Sequence, residues 1–269
     1  MESKILAIAV NTFRESMRER GLLAVLIYLI LLPVVALAGG YVAVGQERKI
    51  LIDVGLALLT LLGLILGVYW GTGMVRVEID RRLLNFLLAK PLQRWQLIAG
   101  KFLGLALTQL VATGLMALAL LSILFVSGLF GLLTDVRPGD GLVGWGGTLW
   151  PVLGLIYFEL LIVTALALLF AVVTNQALAM ILTILVTLIG RSAPELRWLA
   201  ESASHPAWRA ILRATYYVIP NLASFNHLID AGYGVVVPLQ LFTGQLLYAI
   251  FTLLVILALT MILFERREV

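Results

Sequence analysis

Arg76–Gly104 reads RVEIDRRLLNFLLAKPLQRWQLIAGKFLG, and this stretch decides how the rest of the chain is laid out. Six basic residues (Arg76, Arg81, Arg82, Lys90, Arg94 and Lys101) stand here between two long apolar runs. A charged, helix-forming segment between two membrane spans lies in water, and an excess of Lys and Arg assigns that water to the cytoplasmic side. The segment also carries Leu83, Leu84, Phe86, Leu87 and Leu88, an apolar set that a plain linker does not need. The pattern predicts a docking surface for a cytoplasmic partner.

Composition narrows the class. Of 269 residues, 62% are hydrophobic and 13% charged, where a soluble domain carries roughly 25% charged. Mean hydropathy is +1.06. A water-facing globule is excluded, and the expected fold is an all-α integral membrane protein forming one domain over residues 1–269. Without cysteine there is neither a disulfide framework nor a thiolate metal site. His205 and His227 alone make a poor metal site and read as exposed loop residues. The net charge of +4 belongs to residues flanking spans, so it sets orientation and does not call for nucleic acid. Ala36-Leu37-Ala38 resembles a signal cleavage site, but a 20-residue leader and an apolar run continuing to Val44 predict an uncleaved span.

A crossing needs ~20 apolar residues. Six runs approach this, at 21–44, 52–75, 102–130, 148–173, 177–190 and 239–264. The fifth is short and crosses only if Arg191 snorkels or the next segment completes the wall. Ahead of them, residues 1–20 predict an amphipathic interfacial helix. Ile5, Leu6, Ala9, Val10, Phe13 and Met17 share one face, and Lys4, Arg14, Glu15, Arg18 and Glu19 the other. Placing both termini inside leaves 12 of the 19 basic residues in cytoplasmic segments. The expected location is therefore a cell's inner (cytoplasmic) membrane, with multiple passes and both termini cytoplasmic. Residues 45–51 and 131–147 read as short outer connections, the latter with a turn at Pro138–Asp140, and Thr174-Asn175-Gln176 as a tight inner turn. Residues 191–238 read as an outer helical segment, because Trp198, Trp208, Tyr216 and Tyr217 suit the headgroup level, with a helix ending at Pro220-Asn221.

Within 76–101, Glu78–Ala89 reads as one helix, Lys90-Pro91 breaks it, and a second begins near Gln93–Arg94. The product is a bent helical hairpin. Glu78, the Leu87-Leu88-x-x-Pro91-x-x-Arg94-Trp95 run and Gly100-Lys101 entering a span resemble the type-2 ABC exporter permeases. The similarity extends to the layout of interfacial helix, six transmembrane helices, basic inner loop and long outer segment. The Tyr216–Asn226 run resembles the nitrous-oxide-reductase-maturation and gliding-motility branch of that family. Two positions depart from its pattern: Arg82-Leu83 stands where Gly-Thr is frequent, and Gln93 where Ser or Thr caps the helix.

The resemblance implies a permease subunit that couples to ATP binding elsewhere. The hairpin 76–101 would be the coupling element, with Leu87, Leu88, Pro91, Arg94 and Trp95 docking and Glu78 holding it. The partners implied are two copies of a cytoplasmic ATP-binding subunit, a second permease copy or paralogue, and membrane lipids. Cofactors are expected outside this chain, ATP and Mg²⁺ being held by the partner ATPase. The one near match to a phosphate-cradling loop fails, since Trp95 replaces the required glycine and Phe102 the required Ser or Thr. The cargo reads as hydrophobic or amphipathic, because the spans carry few polar residues (Gln109, Thr164, Thr183, Thr187, Gln245).

Gly55, Gly63, Gly67 and Gly71 form a small-residue stripe suited to close helix approach, either to a partner subunit or within the chain. Glu159 is the acidic residue deep in a span; it marks a pathway or a specific hydrogen-bond partner, with a Thr or Tyr of another span or self-protonation as the options. Two other readings remain open at this level: an ion- or proton-coupled secondary carrier using Glu159, and a non-transporting anchor or assembly factor. Enzyme signatures such as paired Asp motifs or His-Glu-x-x-His are missing from the sequence.

Overall fold

Lipid offers no water to an exposed peptide group, so a chain this apolar must close its backbone bonds within helices. The structure, a computed structural model, describes residues 2–18, 22–42, 46–80, 94–129 and 142–266. Regular structure among them is helical throughout: α1 (Glu2–Arg18), α2 (Leu22–Val42), α3 (Glu47–Asp80), α4 (Arg94–Leu129), α5 (Leu142–Val173), α6 (Gln176–Arg191), α7 (Ala193–Ser202), α8 (Pro206–Val218), a 3-10 turn (Ala223–Phe225), α9 (Leu228–Gly232) and α10 (Leu239–Arg266).

Among the described residues, four helices are long and apolar enough to cross a membrane: Glu47–Gly73 of α3, Trp95–Ser127 of α4, Thr148–Val173 of α5, and α10. The number reaches six if each of two bent pairs is one span, α1 with α2 at 53° and α6 with α7 at 66°. The expected runs 21–44 and 177–190 therefore correspond to α2 and α6, each half of a bent pair. Helix boundaries also outrun hydropathy. α3 begins at Glu47 and α5 at Leu142, inside stretches read from sequence as connections, because a helix continues through its polar end. The expected turn at Pro138–Asp140 lies outside the described residues.

α5 is the hub. Every residue from Glu159 to Leu169 is buried, and 78% of its apolar window is buried against 22% for α10. A helix apolar on all sides belongs at the centre, and α3, α4, α6 and α10 all pack on it. α3 lies closest because glycine removes its side chains along the contact. A Cβ at Gly63 would sit 2.5 Å from Leu160 Cδ1, one at Gly67 2.7 Å from Thr164 Oγ1, and one at Gly71 2.6 Å from Ala167 Cβ. Gly55 continues the stripe toward Leu120 of α4 and Leu32 of α2. The stripe is thus used in packing within the chain.

Several polar groups inside the bundle are bonded to backbone. Tyr28 Oη donates to Gly55 O at 3.2 Å, Gln109 Nε2 to Gly63 O at 3.0 Å and Tyr157 Oη to Ala106 O at 3.2 Å, each between helices. Thr164, Thr183, Thr187 and Thr260 each donate to the carbonyl four residues back, which leaves no hydroxyl proton bare in hydrocarbon. The outward surface is the inverse. Ile30 (67% exposed), Leu37 (62%), Phe251 (67%) and Leu254 (62%) face away from the core, as a lipid-contacting surface requires.

The two ends are distinct. The C-terminal end of α3 neighbours the α5–α6 turn, where Gly73 faces Gln176. At the opposite end, Lys49 Nζ lies 3.7 Å above the Tyr233 ring and α9 packs on α3. The C-terminal end of α3 and the 174–175 turn therefore share one end, and the 192–238 segment lies at the other.

A Cβ at Gly71 would also come within 2.9 Å of Thr164 O, and neither backbone nor Ala167 Cβ can swing aside. Gly71→Val is expected to destabilise the detergent-solubilised protein by about 1–3 kcal/mol through overpacking. Gly114→Ala meets nothing within 4 Å and is expected to raise stability by up to ~1 kcal/mol through helix propensity. Thermal unfolding of both variants checks the contrast.

Candidate functional site

At 1.5 Å per residue, α3 (34 residues) and α4 (36 residues) reach roughly 50 Å, well beyond the ~30 Å hydrocarbon layer. The excess at the shared end carries α3 to Asp80 and starts α4 at Arg94. These two helix ends flank the segment expected to dock a partner. Leu87, Leu88 and Pro91 lie outside the described residues. Glu78 falls in the last turns of α3 and Arg94 is the first residue of α4; their side chains also lie outside the description. Trp95 is half-buried in the first turn of α4.

The base of α4 is braced by α1. Ala9, Thr12 and Ser16 are buried along one line of α1, and Ile5, Ile8, Ala9 and Thr12 meet two glycines of α4. A Cβ at Gly100 would lie 2.8 Å from Ile8 Cβ and 3.1 Å from Ile5 O; one at Gly104 would lie 2.6 Å from Ala9 O and 2.7 Å from Thr12 Cβ. The apolar face expected for α1 is divided accordingly. Ala9 enters the contact, whereas Leu6 (67% exposed) and Val10 (38%) face outward, because the close approach favours small residues. Gly100 and Lys101 sit in the helical body of α4, with Lys101 3% exposed. Their backbone N–H groups are committed to the helix, which rules out a phosphate cradle at this dipeptide.

The buried acid is paired. Arg191 Nε donates to Glu159 Oε1 at 2.7 Å, with the side chains 39% and 3% exposed respectively. The expected partner was a Thr or Tyr of another span; the structure supplies the last residue of α6 instead. Arg191 is well placed there, since a cation complements the carbonyl end of a helix. Ser192 then caps α6, and Pro194 starts α7 at its sharp bend. The pair ties the hub helix to that bend.

The histidines differ from each other. His205 Nδ1 accepts from Ala207 N–H at 3.3 Å, capping α8. His227 is not the exposed loop residue expected: its side chain is 13% exposed, between Asp230 Oδ2 at 2.8 Å and Gln245 Nε2 at 2.9 Å. No group of three or more His, Cys, Asp or Glu able to hold a metal is found among the described residues.

The family model described as "ABC-2 family transporter protein" matches residues 6–269. The chain belongs to that family. It is a type-2 ABC transporter permease, a membrane protein of the transport machinery. Subunits of this ABC-2 class are generally non-catalytic and normally work with a cytoplasmic ATP-binding subunit. No curated protein matches the chain.

Sequence reading missed Gly104 and Arg191 as partners in this permease. The first was signalled by the four-residue step from Gly100, and the second by an acid deep in a span facing a short helix that ends in a cation. Glu159→Leu and Arg191→Met are each expected to destabilise the permease. The cost is about 1–3 kcal/mol, below that of a fully buried pair because Arg191 is partly exposed. The double variant is expected to lose less than the sum. Thermal unfolding of the four proteins gives the coupling term.

Proposed function

We propose that this chain is the membrane-spanning subunit of an ATP-driven exporter, working as a dimer with itself or a paralogue and gripping two cytoplasmic ATPase subunits through residues 76–101. In this reading Leu87, Leu88, Pro91, Arg94 and Trp95 fit a cleft in the ATPase, and Glu78 steadies the hairpin from the end of α3. ATP binding closes the ATPase pair, pushes the hairpins together and turns the pathway from inward to outward access. The termini and the hairpin lie in the cytoplasm, and the α7–α9 segment lies outside.

The observation that carries the proposal is the family match over residues 6–269. Support comes from α3 and α4, which run past membrane length into a basic segment whose base α1 braces. Such a rigid pair of levers can transmit a push, whereas a flexible loop would absorb it. A hydrophobic or amphipathic cargo is supported by the bundle's few polar side chains, whose protons are largely spent on backbone carbonyls. Glu159, the residue an ion-coupled carrier would use, already holds Arg191, so the carrier reading is not advanced.

Arg94→Glu places an anion where the docking surface needs a cation. It is expected to abolish co-purification with the cognate ATPase while the solubilised permease keeps its thermal transition; a complex that survives intact removes Arg94 from docking. Orientation is read separately, using the cysteine-free sequence. Lys90→Cys is expected to react with an impermeant maleimide only after permeabilisation, and Arg197→Cys in intact cells. The reverse pattern inverts the topology.

A further inference from the structure

α9 is a helix of 5 residues, Leu228–Gly232, too short to persist on its own hydrogen bonds. It is held from two sides. On α3, Lys49 Nζ lies 3.7 Å from the centre of the Tyr233 ring, and Gly232 rests against Asp53, whose carboxylate fills the place of a Cβ. On α10 the contact runs through His227, the residue that precedes α9.

The hydrogen bonds around His227 fix its proton count. Ser224 O can only accept, so the Gln245 atom 2.5 Å from it is the amide nitrogen Nε2. The same nitrogen lies 2.9 Å from His227 Nε2. Its second proton therefore points at a ring nitrogen that must accept. Nδ1 carries the ring's proton and donates it to Asp230 Oδ2 at 2.8 Å. The sequence of donors and acceptors from Asp230 through His227 and Gln245 to Ser224 closes only with a neutral imidazole.

A proton on Nε2 sets one N–H against another. Turning the Gln245 amide over relieves that clash but brings its oxygen against Ser224 O, two acceptors at hydrogen-bond distance. Either way α10 loses a bond to the 224–227 segment. Asp230 stays bonded to Nδ1–H in both protonation states, so the Gln245 contact is the one that yields. The His227 side chain is 13% exposed, which gives water a path to the ring. The neighbouring ties are Asn221 N–H to Tyr248 Oη at 2.8 Å and the Phe225–Tyr248 ring pair at 6.0 Å. They belong to the same seam and loosen with it.

Other ionisable groups on the surrounding elements have different contacts. α3 carries Glu47, Arg48, Lys49 and Asp53 near its start, and the last two meet α9 at Tyr233 and Gly232. α5 packs on α9 and on the 3-10 turn; its Tyr157 donates to Ala106 O and its Glu159 accepts from Arg191. Residues 219–226 carry no charge. The charged residues of α10, Glu265 and Arg266, lie ~30 Å along the helix from Gln245.

We propose that His227 is a pH-operated latch: neutral, it fastens α9 and the 3-10 turn to α10 through Gln245, and protonated, it releases them. The latch is independent of cargo, transport direction and the orientation of the chain.

Hydrogen exchange on the full-length protein in detergent, corrected for the intrinsic pH dependence of amide exchange, reads it directly. The reporters are the bonded N–H groups of Asn221, Leu222, Phe225, Asn226 and Ala231. Between ~pH 8 and ~pH 5, the range over which histidine ordinarily changes charge, their protection is expected to fall about tenfold while that of α5 holds. Equal protection at both values, or a loss shared with α5, overturns the latch on the wild-type protein alone, whether or not any variant folds. His227→Gln offers Gln245 an uncharged acceptor and is expected to stay protected at both values. His227→Arg presents only donors and is expected to be unprotected at both. An acid-induced loss that persists undiminished in His227→Gln, or that Asp53→Asn abolishes, assigns the proton elsewhere and overturns the proposal.

Discussion

Two helix backbones brought nearly into contact, α3 against α5, set the geometry on which the other helices depend. Lipid tails are as apolar as leucine, so helices in a membrane gain little from hiding hydrophobic surface and rely on close packing and internal hydrogen bonds. Gly63 serves both needs. Its missing side chain admits Leu160, and its carbonyl, brought within reach, accepts Gln109 from α4. One residue therefore joins three helices. The same logic recurs at Gly67 and Gly71, where Thr164 and Ala167 occupy the space a side chain would fill.

This arrangement turns the bundle's polarity inward. Threonine hydroxyls are bonded to their own helices, and Gln109 and Tyr28 to neighbouring backbones. At one end α1 braces α4. The other has short helices, tyrosines and the Glu159–Arg191 tie.

How much of this the sequence discloses depends on the interaction concerned. Bulk apolarity over 20-residue windows locates α3, α4, α5 and α10, because lipid selects for composition more than for detailed packing. The turn at Thr174-Asn175 is equally readable, since Asn175 caps α6 by accepting from Leu178 N–H. Boundaries are less so. Hydropathy ends where charge begins, yet α3 continues to Asp80 and already starts at Glu47. The stripe of Gly55, Gly63, Gly67 and Gly71 is visible as a pattern, but which helix it meets is a tertiary fact. Glu159 stands out by its charge. Its partner 32 residues away becomes evident only once α6 folds back along α5.

The glycine seam between α1 and α4 also bears on the order of synthesis. α1 leaves the ribosome before α4, and the surface it fits, at Gly100 and Gly104, follows more than 80 residues later. At about 5–20 residues per second, that is a delay of several seconds. During it this helix lacks its α4 contact, and its outward Leu6 and Val10 give it a foothold on the bilayer itself. The nascent chain would then close like a clasp, its opening segment fastening only after the third long helix has been threaded.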